Sequence, residues 1–68
     1  MARVICQALI DDKNEMERVQ TELKELNVKF AIYRNYVHAD YSSKSLGKIR
    51  QVKNVFYGLK YYNIQEIG

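Results

Sequence analysis

The spacing of hydrophobic positions changes several times along this chain, and each change marks an element. Residues 2–10, "ARVICQALI", form an apolar run of strand length that stops at Asp11-Asp12, and such a run predicts a buried strand with Val4, Cys6 and Ala8 turned inward. Asp12 is followed three residues later by Glu15, a capping-box spacing in which the aspartate can accept from a free N–H of the first helical turn. A helix is expected from about Lys13 to Leu26. Its apolar stripe is Met16, Val19, Leu23 and Leu26, and Glu15, Glu17, Arg18, Glu22, Lys24 and Glu25 face water. Asn27 suits a left-handed residue closing the helix.

Period two follows. "VKFAIYR" alternates Val28, Phe30 and Ile32 with Lys29, Ala31 and Tyr33, the pattern of a half-buried strand. Arg34-Asn35 is a weak turn signal, and "YVHADY" beyond it reads as a third strand with Val37, Ala39 and Tyr41 inward; a single long bent strand is the alternative. Helical spacing returns at Leu46, Ile49, Val52, Phe56 and Leu59, with Ser42-Ser43 as the expected cap. Gly58 can end this second helix in a left-handed turn. "KYYNIQEI" then closes the sheet with Tyr62 and Ile64 inward, unless the helix runs on to Tyr62.

The order is β-α-β-β-α-β. It predicts an α+β fold, a two-layer α/β sandwich of ferredoxin-like topology, with both helices on one face of a mostly antiparallel sheet. All 68 residues are used by one domain, without linker, repeat or low-complexity stretch. At this size only about 60% of the unfolded chain's surface can be buried, so a lone core is marginal and self-association is an expected aid. A single cysteine, Cys6, excludes a disulfide within the chain and fits a reducing compartment. No apolar run is long enough for a bilayer and no signal peptide is evident, which predicts a cytoplasmic protein that does not engage membranes. Richness in Lys, Asn, Ile and Tyr without Trp or Pro follows A/T-rich codons and suggests a bacterial or phage origin.

Charge then changes the picture. Residues 1–28 carry four cationic and six acidic side chains, whereas residues 29–68 carry seven and two, so the basic half is the second. Within it "NVFYGLKYY" sets Phe56, Tyr57, Tyr61 and Tyr62 close together. Phe56 and Tyr62 are expected in the core, with Tyr57 and Tyr61 outward. The outward sheet face should carry Arg3, Ile5, Gln7, Lys29, Tyr33, Tyr36, His38, Tyr61 and Asn63, and in a one-sided sheet nothing else in the chain covers it.

Two functions suit such a face. The first is a small regulatory module that binds a protein partner or forms a homodimer, with Tyr33, Arg34, Tyr36, His38, Tyr57 and Tyr61 as contacts, because Tyr and Arg dominate interface energetics. The alternative is binding of single-stranded nucleic acid, RNA or DNA, with bases stacked on the tyrosines and phosphates neutralised by Lys29, Lys44, Lys48, Arg50 and Lys53. At 100° per residue Lys44 and Lys48 fall on one shoulder of the second helix and Arg50, Lys53 and Tyr57 on the other, which fits solvated flanks better than one phosphate track. The RNA-recognition motif has the same topology, but its basic-Gly-aromatic consensus is missing from "YVHADY".

Catalytic patterns fail on chemistry. Ser45 and Lys48 have an S-x-x-K spacing without its companion motifs. Gly47-Lys48 lacks both the upstream glycine of a phosphate loop and its following Ser or Thr. His38 and Asp40 share a strand face but are too few for zinc, and read as a surface pair. Cys6 and His38 point to opposite sides of the sheet and cannot form a dyad. A non-enzymatic protein without metal or cofactor is expected.

Overall fold

A computed structural model describes all residues, Met1–Gly68. The elements are β1 (Ala2–Leu9), α1 (Lys13–Glu25), β2 (Phe30–Tyr33), β3 (Tyr36–Ser43), α2 (Leu46–Phe56) and β4 (Tyr61–Ile67). Pairing is antiparallel throughout, in the order β2-β3-β1-β4. The ferredoxin-like β-α-β-β-α-β fold expected from the sequence is therefore present. The two central strands, β1 and β3, are also the longest, at eight residues each, and α2 packs over both of them.

Local chemistry fixes most boundaries. Asp12 caps α1, its side chain accepting from the Glu15 N–H at 2.9 Å. Asn27 closes that helix at φ 58°, and its N–H donates to the Lys24 carbonyl at 3.0 Å. Gly58 at φ 89° ends the turn after α2 and folds Leu59 back into the core. Residues 61–67 are strand, which settles the alternative for the C-terminal segment. The two-residue turn Arg34-Asn35 separates β2 from β3, so the single bent strand is excluded.

Two expectations for α2 are corrected. Its cap is Ser45, whose Oγ accepts from the Lys48 N–H at 3.3 Å. Ser42 and Ser43 instead extend β3, because the ladder with β1 continues to Ala2 opposite Ser43. The Ser43 hydroxyl then accepts from the Ser45 N–H at 3.0 Å. Leu46, expected on the apolar stripe, is 72% exposed; Val55 takes a place in the core beside Ile49, Val52 and Phe56.

The core lies wholly between the sheet and the helices. Val4, Cys6 and Ala8 of β1 and Val37 and Ala39 of β3 meet Val19 and Leu23 of α1 and the α2 stripe. No polar or charged residue is buried among them. Tyr62 departs from expectation: it faces the helix layer but stays 43% exposed, because β4 is an edge strand. Its ring stands edge-on to Tyr57, with centroids 6.0 Å apart at 83°.

Candidate functional site

Strand alternation sends every second residue of the sheet away from the helices. The open face therefore carries Arg3, Ile5, Gln7 and Leu9 of β1, Tyr36, His38 and Asp40 of β3, Ala31 and Tyr33 of β2, and Tyr61, Asn63, Gln65 and Ile67 of β4. Register arranges these residues in rows. Tyr33 is opposite Tyr36, Tyr36 is opposite Leu9, and Leu9 is opposite Tyr61.

That row crosses all four strands at one end of the sheet. At about 4.8 Å per strand it spans roughly 14 Å. Tyr33 is 69%, Tyr61 55% and Leu9 48% exposed. A shallow depression of about 200 Å³ opens along it, lined by Gln7, Ala8, Leu9, Tyr36, Tyr61 and Tyr62.

A cation stands at each end of the row. The Arg34 guanidinium lies 5.5 Å from the Tyr33 ring centre, and the Lys60 ammonium 5.4 Å from that of Tyr61. Arg34 is placed there by a turn that a non-glycine residue rarely adopts, at φ 57°. The turn is tied to the end of β1: the Asn35 carbonyl accepts from the Ile10 N–H at 2.8 Å, and the Asn35 amide donates to Asp11 Oδ1 at 2.8 Å.

The next row, Ala31, His38, Gln7 and Asn63, is polar. His38 Nδ1 sits 3.4 Å from Gln7 Nε2 and 3.5 Å from the Tyr36 hydroxyl. Asp40, expected to pair with His38, pairs with Arg3, whose Nε donates to Oδ1 at 2.9 Å. This bond holds the Asp40 carboxyl below the usual carboxylate range and raises the Arg3 guanidinium. The far end of the face is thus charge-neutral.

The expected contact residues divide. Tyr33, Tyr36, His38 and Tyr61 share the open face, with Arg34 at its margin. Tyr57 does not join them; it caps the C-terminal end of α2, in the other layer. Of the expected phosphate contacts, Lys29 borders a depression with Phe30, Ala31, His38 and Asp40. Lys44 lies in the β3–α2 connection, and Lys48, Arg50 and Lys53 ride on α2, behind the sheet from the tyrosines. Lys53 is engaged by Glu66 at 3.0 Å.

Leu9 and Lys60 complete the row and were not among the expected contacts. Leu9 continues the outward alternation of Arg3, Ile5 and Gln7 by one step, so its signal was available. The role of Lys60 depends on where β4 begins.

No group of three His, Cys, Asp or Glu side chains stands close enough to hold a metal ion. Cys6 is fully buried, and burial pushes its thiol up to about 11, which suits packing rather than nucleophilic chemistry. No helix is long and apolar enough to cross a membrane. The chain matches no known protein family, no curated protein and no solved structure.

Proposed function

We propose that this chain is a small, non-enzymatic, cytoplasmic interaction module that holds a protein partner against the open face of its sheet, and that its role is regulatory, through masking or bridging that partner. The observation that carries the reading is the continuous row Tyr33–Tyr36–Leu9–Tyr61, bounded by Arg34 and Lys60. A leucine flanked by tyrosines offers apolar area at low entropic cost, and the phenol hydroxyls and two cations supply a polar rim. The basic side chains that would follow a nucleic-acid backbone lie mostly in the other layer, which favours protein over a single strand of RNA or DNA.

The test is a photo-crosslinking side chain placed at position 36, with position 50 on α2 as the control. In extract of the cells that make the protein, a discrete protein adduct is expected from position 36 and not from position 50. Adducts that carry nucleic acid and vanish with rising salt would replace this reading with the alternative. No adduct, or equal labelling from both positions, would overturn it.

A further inference from the structure

The two edges of the sheet are built differently. β2 offers only four residues at its edge, whereas β4 offers seven, Tyr61–Ile67. The outer edge of β4 takes part in no ladder, and none of the backbone bonds outside the regular elements reaches it. Sheet proteins blunt such edges with proline, bulges or inward charges. Here there is no proline, β4 pairs with β1 without interruption from Tyr61 to Ile67, and the strand's one charge, Glu66, is already engaged by Lys53.

We propose that β4 is an assembly edge whose occupant is β4 of a second copy, joined antiparallel about a twofold axis at Asn63 into one eight-stranded sheet. The register follows from complementarity. Pairing about Asn63 sets Lys60 of each copy opposite Glu66 of the other and Tyr62 opposite Ile64. Shifting the axis to Ile64 puts Tyr62 against Glu66 and leaves Lys60 opposite the terminal Gly68. Shifting it to Tyr62 puts Lys60 against Ile64.

Only the Asn63 register joins opposite charges and pairs an aromatic with a β-branched residue, both favourable across strands. It also covers Tyr62, which the edge position leaves exposed, together with the half-buried Ile64. Glu66 is suited to a second cation: its Oε1 takes the Lys53 bond, and its side chain remains 61% exposed. The pairing leaves the Tyr33–Tyr36–Leu9–Tyr61 row open in both copies and shares only Lys60, at the β4 end of that row, with the partner reading above.

Charge reversal tests it. K60E and E66K are made as separate proteins, and mass in solution is measured by sedimentation equilibrium against the 8.0 kDa chain. The wild type is expected at twice the chain mass. Each variant alone meets like charge at both sites of the twofold and is expected to dissociate at least tenfold more readily. An equimolar mixture of the two restores opposite charges at both sites and should recover the dimer.

A second measurement does not depend on charge. N63C should crosslink to itself on mild oxidation, because its copies are directly opposite within disulfide reach, whereas Q65C, opposite Tyr61, should not. A wild type at single chain mass, a mixture no more associated than its components, or Q65C crosslinking as readily as N63C would overturn the proposal. Y33E serves as the separating control: it weakens the partner adduct formed from position 36 at the open face and leaves the edge dimer intact.

Discussion

The two faces of the central strands are made from the same stretch of sequence yet obey different rules. On β1, Val4, Cys6 and Ala8 face the helices, are fully or almost fully buried, and are small enough for α2 to lie close. Arg3, Ile5, Gln7 and Leu9 alternate with them, face away, and share neither size nor polarity. The helix-side residues are chosen by volume, because an interior at crystal-like density leaves no slack. The open-side residues meet no such limit within the chain, so their chemistry is free to serve a contact with something else.

Adjacent substitutions on β3 are the most forceful way to break this contrast. Val37→Asp places a charge among apolar side chains with no cation in the core and is expected to cost about 3–5 kcal/mol, enough to unfold a domain of this size. Tyr36→Glu, one residue away, should stay within about 1 kcal/mol of the parent in urea denaturation while losing the partner adduct formed from a crosslinking side chain at position 33. Equal destabilisation by the two would show that the open face is structural after all.

Cys6 sharpens the contrast next. The folded protein binds the thiol proton more tightly than the unfolded chain does, since burial raises the thiol from its ordinary value near 9 to about 11. The associated stability is complete below pH 9 and is lost as pH rises toward 11, with an amplitude of the order of 2 kcal/mol. Denaturation of wild type and Cys6→Ala across pH 8–11 isolates this contribution from that of tyrosine and lysine; parallel curves would refute it. Alkylation of Cys6 in the folded state should likewise be slow until the chain opens.

A smaller effect belongs to the turn between β2 and β3. Arg34 holds φ 57°, a conformation costing a non-glycine residue about 1–2 kcal/mol. Arg34→Gly is expected to raise stability by about 1 kcal/mol in urea titration and to weaken the partner adduct, because the cation beside Tyr33 is removed. The smallest effect should come from the Arg3–Asp40 pair at the far end of the open face. The pair favours the folded state at neutral pH, and that contribution fades as pH falls through the depressed Asp40 value. Both groups are solvent-exposed, so Asp40→Asn should leave the thermal midpoint at neutral pH within the scatter of ordinary surface changes.

How far the sequence reveals this arrangement depends on the range of the interactions involved. Asp12, Asn27 and Gly58 act within a few residues of themselves, and period two and period 3.6 report which side of an element is covered. Elements, most caps and the two faces were therefore legible from local pattern. The tyrosine row was not, because it joins residues 9, 33, 36 and 61 through three strand registers, and register is set by pairing across the whole chain. The same reason hid the separation of Tyr57 from Tyr61. They are close in sequence, but Gly58 turns the chain between a helix and a strand, so proximity along the chain becomes opposition across the fold. Ser43 misled as a cap because a strand with a long partner keeps pairing past a residue that would locally favour a helix start.

The position of β1 between β3 and β4 also sets a timetable. β1 leaves the ribosome before the other five elements, yet both strands that satisfy its backbone come later, β4 after the rest of the six. Local helices can form early, but the central strand stays unpaired on one side until residues 61–67 emerge. Folding then waits on contacts between β1 and β4, a topology that slows the search for the native state and leaves the apolar run around Val4 to Ile10 exposed during synthesis of the elements between them. Any factor that shelters this nascent chain should be found on β1.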